Sequence, residues 1–369
     1  MPNTQRRRVR QCVQPLDSRS VLVDGKCYID FSRNDYLSLT HDPRLRVPEA
    51  QLPTGSGSSA VVSGFRAEQA ELEQALADFL GYPKVLVLSN GFMANLALQQ
   101  TFVRRRQSVI LDRLVHASIV DGARLAGAKI YRYAHKDIFM CERALQKANG
   151  PAWVITDGLF SMDGDIAPLQ ELSALCQHYS ATLVVDDAHG IGVLGPQGKG
   201  SVFAAGLGFE EVPFIVGAFG KAFGGYGAFI ASSVDNIEAI ISSARTYIYT
   251  TALPPYCIGH ALRAIKLMPT LESERAHLGH LINKTQTVLH SKSASVIQPW
   301  VLGSDDATWQ AHHALKEAGI WAPVIRPPTV PENTSRIRFS LNVGHRFQDI
   351  EQLESIIESM GVTTCPQPA

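Results

Sequence analysis

The sequence predicts an α/β fold, with a mostly parallel central sheet covered by helices on both faces and a smaller C-terminal α+β domain. Three observations carry that reading. Short, continuously apolar runs recur through the middle of the chain, helix-forming stretches separate most of them, and the pattern changes after Pro254-Pro255. Strands buried on both faces of a parallel sheet read as unbroken Val/Ile/Leu runs rather than as alternating ones, and helical crossovers between them supply the cover.

Taken in order, Glu68 to Leu80 carries apolar residues at helical spacing and stops at Gly81, a residue suited to a helix C-terminus. Val85-Leu-Val-Leu88 follows as a short buried strand. Val109 to Leu111, Lys129 to Tyr131, Trp153 to Thr156, Leu183 to Val185, Phe214 to Val216 and Ala228 to Ile230 continue the alternation. Beyond Pro255 the sequence predicts one long helical stretch from Ile258 to His290, then short strands and a last helix from Gln348 to Met360. The domain reading is therefore an N-terminal segment (1–50) packed with the small domain, a large α/β domain (51–260) and a C-terminal α+β domain (261–369).

Composition sets limits. A chain of 369 residues that is 45% hydrophobic and 18% charged can bury a substantial core. Lys plus Arg and Asp plus Glu balance at 34 each, so no global field points to nucleic acid or an anionic membrane surface. The six cysteines are scattered without a close pair or a zinc-like Cys/His spacing, which fits a reducing, cytoplasmic setting and no metal site. No apolar run reaches the roughly 18 residues of a membrane span, and the basic N-terminus is not followed by the apolar core of a secretory signal.

The chemistry concentrates at strand ends. In open α/β sheets ligands bind at the carboxyl edge, where strand ends and helix starts converge. Thr182-Leu-Val-Val-Asp186-Asp187-Ala-His189 delivers carboxylates and an imidazole there, and Phe214 to Gly225 delivers Lys221. An aspartate facing a pyridine nitrogen and a lysine able to form a Schiff base are what pyridoxal phosphate (PLP) chemistry asks of a protein. Taken singly, Asp186 and Asp187 read equally as helix caps and Lys221 as a solvated lysine. Four further segments bear on the choice. Leu88-Ser-Asn90-Gly91-Phe92 runs a strand into a helix N-terminus, an anion site suited to a phosphate. His116 follows a strand at the same edge, where an imidazole stacks on a flat heterocycle or, as a lone histidine more often does, simply packs. Asp157 and Ser161 follow another, with Ser161 a hydroxyl donor for a phenolate oxygen. The stiff run Ile325-Arg326-Pro-Pro-Thr-Val-Pro331 presents a guanidinium, a fork for a substrate carboxylate.

These blocks together resemble the α-oxoamine synthases, PLP enzymes of fold type I. The resemblance rests on Asn34-Asp-Tyr-Leu37, Gly55-Ser-Gly-Ser-Ser59 to Ser63-Gly64, Asp112-Arg-Leu-Val-His116-Ala-Ser118 and Phe160-Ser-Met-Asp-Gly164, then on Val185-Asp-Asp-Ala-His-Gly190, Phe219-Gly-Lys-Ala-Phe-Gly224 and Tyr249-Thr-Thr251, all in family order. It spans nearly the whole chain, and several blocks in order are far more specific than any one. It implies Lys221 as the Schiff-base lysine and proton carrier, Asp186 as partner of the ring nitrogen and His116 as the stacking ring. His189 and Ser161 would bond the phenolic oxygen, and the amides of Gly91 and Phe92 the phosphate. Tyr249, Thr250 and Thr251 would lie near the cofactor of a second subunit, since the family's active site sits at a homodimer interface. Arg326 would hold the amino-acid carboxylate, with Asp157 also near the substrate and Arg6 a contact for the acyl chain.

Within the family, the unbroken Arg326 to Pro331 run implies a decarboxylative condensation of L-alanine with pimeloyl-CoA or pimeloyl-acyl carrier protein, a step of biotin synthesis. The alternatives are a member using another amino acid or acyl donor, and an inactive PLP-fold partner subunit. Three positions depart from the family pattern. Asp157 is one methylene shorter than the familiar residue, Ala218 replaces a hydroxyl, and Gln69 stands where His is usual.

Overall fold

The structure is a computed structural model that describes residues 10–47, 53–148 and 150–361. Arg6 lies outside the described residues. By internal contacts the chain forms two compact units, one spanning Asn34–His277 and the other joining Met1–Arg33 to Leu278–Ala369.

The larger unit is built on a seven-stranded sheet. Its strand order is Lys84–Leu88, Ala228–Ser232, Phe214–Ala218, Thr182–Asp186, Trp153–Asp157, Ser108–Asp112, Lys129–Tyr133. Every pairing is parallel except those of Ala228–Ser232, which runs antiparallel to both neighbours. Its connection from Ala218 is a short loop, and a parallel crossover needs a dozen or more residues. The central strands are buried along almost their whole length, as their unbroken Val/Ile/Leu runs require. Helix Ala67–Leu80 buries Leu72, Leu76, Phe79 and Leu80 on one stripe and ends where Gly81 turns left-handed (φ 70°), its N–H closing on the Ala77 carbonyl.

The long helix expected from Ile258 to His290 is two helices, Pro255–Leu267 and Glu272–Leu289, broken by a 3-10 turn at Met268–Thr270. Pro269 causes the break. It has no N–H to give, and its ring clashes with the carbonyl four residues back, although the apolar periodicity runs straight through it.

The smaller unit has two sheets. One is four-stranded (Val13–Pro15, Ser20–Val23, Lys26–Asp30, Ile320–Trp321) and the other three-stranded (Ile297–Gly303, Ser335–Ser340, Val324–Ile325). Phe31 packs edge-on to Phe339 at 5.6 Å between centroids and stacks on the buried His345 at 4.2 Å. Arg19 grips Asp349, in the first turn of helix Phe347–Met360, with its Nε 2.8 Å from Oδ2 and Nη2 2.5 Å from Oδ1. Asp349 also accepts the Arg346 N–H, so one carboxylate caps its helix and ties in the chain's N-terminal part. No helix among the described residues is long and apolar enough to cross a membrane.

Candidate active site

At the carboxyl edge of the large sheet lies a cavity of about 150 Å³, lined by Gly91, Phe92, His116, Asp157, Ser161, Asp186, His189 and Lys221, with Leu159, Ala188 and Ala218. Eight residues singled out from the sequence therefore converge in one place. They come from five separate connections, each leaving the sheet at the same edge.

Lys221 is held by its loop. Phe219 and Phe223 flank it, are both fully buried, and pack with ring centroids 5.1 Å apart, so the short Phe-Gly-Lys-Ala-Phe segment is anchored on both sides of the lysine. The loop is closed by Phe219 N–H to Gly227 O (2.9 Å), Gly225 N–H to Phe219 O (2.8 Å) and Gly224 N–H to Lys221 O (2.8 Å). Gly224 has φ 61°, and a Cβ there would sit 2.3 Å from the Thr40 backbone nitrogen, so only glycine fits.

Asp186 ends its strand with defined partners. The Asn95 amide donates to Oδ2 at 2.6 Å and the Ala188 N–H to Oδ1 at 3.1 Å. Asn95 also donates to Ser118 Oγ at 2.9 Å, and Ser118 in turn contacts His116 Nδ1 at 2.8 Å. A chain of hydrogen bonds thus runs from Asp186 to His116, with the Ser118 N–H also reaching His116 Nδ1 at 3.3 Å. Because Nδ1 accepts from the Ser118 N–H, this imidazole carries its proton on Nε2. Asp157 stands beside Asp186 in the sheet register and accepts the His116 N–H at 3.2 Å. Full burial, and then the neighbouring Asp186 charge, push its carboxyl well above the usual range, so Asp157 favours the neutral acid.

His189 Nδ1 lies 2.6 Å from the hydroxyl of Tyr36, a fully buried ring. Helix Gly91–Phe102 begins at Asn90, whose side chain takes the Met93 N–H at 2.9 Å. Gly91 and Phe92, in the first turn, lie at the cavity wall.

The other described residues that the sequence singled out are not in the lining of this cavity. Thr250 and Thr251 line a different, water-sized cavity of about 10 Å³ together with Gln69, and Thr251 bridges to Ser59. Tyr249 is 72% exposed, with the Arg245 guanidinium over its ring. Arg326 belongs to the smaller unit, where its guanidinium lies 5.6 Å over the Trp309 ring. Gln69 is buried and donates to Glu73 at 3.0 Å; burial lifts that carboxyl to about 7.

Sequence reasoning assigned no role to Asn95, Ser118 or Tyr36. Asn95 had a signal: it is a polar residue on the face of its helix that also buries Ala94, Ala97 and Leu98. Buried amides are paired, so a functional partner was implied, but not which one.

The sequence profile of the aminotransferase class I and II family matches residues 26–357. An 8-amino-7-oxononanoate synthase of Hydrogenovibrio crunogenus is 43% identical over 358 residues, covering 94% of this chain and 90% of the relative. Among solved structures, SPT with a PLP internal aldimine superposes with a TM-score of 0.90 at 29% identity, covering 95% of this chain and 92% of that one. The 8-amino-7-oxononanoate synthase of Francisella tularensis superposes with a TM-score of 0.78 at 31% identity, covering 90% and 98%.

The donor set suits PLP. A carboxylate, an amine, two imidazoles, a hydroxyl and a helix N-terminus, the groups that a protonated pyridine ring, an aldehyde, a phenolic oxygen and a phosphate call for, all line one cavity. The chain belongs to the aminotransferase class I and II family, on its branch of PLP-dependent 8-amino-7-oxononanoate synthases.

Proposed function

We propose that this chain condenses L-alanine with a pimeloyl thioester, carried by CoA or by acyl carrier protein, to give 8-amino-7-oxononanoate, carbon dioxide and free thiol. The observation that carries the reading is the convergence of Lys221, Asp186, His116 and His189 on one cavity at the sheet edge. When bound, PLP supplies an electron sink that lowers the barrier to breaking bonds at the amino-acid Cα.

The chain's own residues do the rest. Lys221 would anchor the cofactor, and its amine, once free, would remove and later return the Cα proton of alanine. Asp186 holds the proton on the ring nitrogen, oriented for that task by Asn95 and the Ala188 amide. His116 stacks on the ring. His189 and Ser161 bond the phenolic oxygen, and the Gly91 and Phe92 amides receive the phosphate. Asp157, which accepts the His116 amide, keeps that ring over the cofactor and borders the substrate. Arg326 takes the alanine carboxylate, and Arg6 the acyl chain. The exposed Tyr249, with Thr250 and Thr251, serves the cofactor of a second subunit in a homodimer. A cytoplasmic placement belongs to the same reading.

The test is a condensation assay that crosses alanine, glycine and serine with pimeloyl and shorter acyl thioesters, following thiol and carbon dioxide release. Alanine with the pimeloyl thioester should be fastest, and Lys221→Ala should lose at least about a thousandfold in turnover. Faster reaction of glycine with acetyl-CoA would overturn the substrate, and an unchanged Lys221→Ala rate would overturn the chemistry.

A further inference from the structure

Outside the cavity, one histidine is held between two carboxylates. His135 Nδ1 lies 3.0 Å from Asp112 Oδ1, and its Nε2 lies 2.8 Å from Asp165 Oδ2. A neutral imidazole donates from one nitrogen only and an ionised carboxylate only accepts, so both contacts are hydrogen bonds at once when both nitrogens are protonated. The surroundings agree. Lys136 gives its N–H to Asp112 Oδ2 at 2.8 Å, and its Nζ stands 3.0 Å from Asp165 Oδ2, so two cations face two anions. Behind Asp112, Tyr133 and Cys141 stay neutral, the thiol pushed up to about 12 by burial first and Asp112 second. Burial opposes a charge on His135, yet its bonds to Asp112 and Asp165 outweigh it and raise the imidazolium to about 9. Phe160 closes the site edge-on, 4.5 Å between centroids.

What this cation joins matters more than its charge. Asp112 ends the strand Ser108–Asp112, and its Oδ1 also takes the Leu114 N–H at 2.8 Å, setting the turn that leads to His116. Asp165 closes the turn that carries Ser161, through Phe160 N–H to Asp165 O (3.0 Å), Gly164 N–H to Phe160 O (2.9 Å) and the bridge between Leu159 and Ile166. His116 and Ser161 both line the cavity, and both hang on turns that end at His135.

We propose that His135 is a positioning residue. As a cation bonded on both sides, it locks the 112–116 turn to the 158–166 turn, so that His116 and Ser161 meet the cofactor ring in their working geometry. The inference rests on the PLP reading of the cavity and goes beyond it, because His135 is not among the residues lining the cavity and acts through the two turns. A glutamine amide does not replace it: both its N–H donors sit on one nitrogen, so its carbonyl oxygen, an acceptor, would face the other carboxylate.

The experiment compares wild type, His135→Gln and His135→Arg, with each apoprotein titrated with PLP and its bound-cofactor absorption spectrum recorded. His135→Gln should bind PLP roughly tenfold more weakly, shift the visible band, and lower kcat roughly tenfold while the KM of the acyl thioester stays put. His135→Arg, which keeps a cation with two donors, should recover most of each loss. In the wild-type apoprotein, nitrogen NMR should show His135 doubly protonated at pH 7.5. A lowered melting temperature with unchanged PLP affinity, spectrum and kcat would make the clamp merely structural and overturn the proposal, as would a neutral His135 in the NMR spectrum. Failure of wild type to bind PLP at all would overturn the active-site reading and this one with it, a result distinct from normal binding by every variant.

Discussion

The Thr182–Asp186 strand ends in two consecutive carboxylates whose surroundings could hardly differ more. Successive residues at a strand end point to opposite faces. Asp186 looks into the cavity, steadied by Asn95 and the Ala188 amide. Asp187 points the other way into a closed pocket, where Ser201 gives it both its N–H and its hydroxyl at 2.7 Å. The walls of that pocket are glycines. A Cβ on Gly158, Gly190 or Gly200 would lie 2.6, 2.1 or 2.1 Å from the Asp187 carboxylate, so a side chain at any of the three would force it to shift. One face of the strand end turns a carboxylate into the cavity, and the other uses a carboxylate to knit loops together.

That contrast breaks most sharply under matched substitutions. Asp186→Asn should lower kcat/KM by about 10² to 10³, the size of effect seen when one oriented electrostatic partner of a reacting system is removed, while the melting temperature barely moves. Asp187→Asn should do the reverse. Its amide nitrogen cannot accept, so one of the two Ser201 donors, which now reach separate carboxyl oxygens, would lose its acceptor, at a cost of about 1–3 kcal/mol in stability, with the activity of the folded fraction kept within a few-fold. Steady-state kinetics beside thermal melts would decide it. A catalytic collapse in Asp187→Asn without loss of stability would erase the distinction between the two faces.

The pH dependence sharpens the same contrast. Burial first, opposed by the Ser201 bonds, lifts the Asp187 carboxyl from 3.8 to about 7. An acid whose pKa is raised on folding binds its proton more tightly in the folded state. Its contribution is therefore complete below the unfolded value near 3.8 and is lost as pH rises through about 7. Between pH 5 and 8 the wild type should lose stability relative to Asp187→Asn, so the gap between their denaturation midpoints should narrow. A gap that stays constant would place Asp187 among the ordinary ionised carboxylates.

Much of this was legible in the sequence, and the rest was hidden for physical reasons. The strands of the large sheet announce themselves because burial on both faces demands unbroken apolar runs, and the reactive residues because they interrupt the chain just after those runs. The direction of Ala228–Ser232 is not encoded in its own residues, since a buried strand reads the same both ways; only the short connection from Ala218 carries it. The break at Met268–Thr270 turned on a single proline inside a good periodicity. Which of Asp186 and Asp187 faces the cavity is bound up with three glycines and a serine as much as 29 residues away in the chain, between Gly158 and Ser201. His135 was invisible for the same reason, its two carboxylates lying 23 and 30 residues off in opposite directions.

The mildest expected effect concerns a residue that is not in the cavity lining but bonds one that is. Tyr36 is fully buried, and its hydroxyl lies 2.6 Å from His189 Nδ1 and 3.2 Å from Asn34 Oδ1. It has one proton to give. Given to the nearer nitrogen, that proton fixes the His189 tautomer with its own proton on Nε2, a donor suited to a phenolic oxygen. Tyr36→Phe keeps the ring and its packing and removes only this constraint, which corresponds to about 1 kcal/mol and so to roughly a fivefold loss in kcat/KM. The loss should fall on kcat/KM and on the pH profile of the bound-cofactor absorbance, not on the melting temperature. If Tyr36→Phe instead melted early with an unaltered profile, the hydroxyl would belong with Asp187, among the groups that hold the loops, rather than with Asp186.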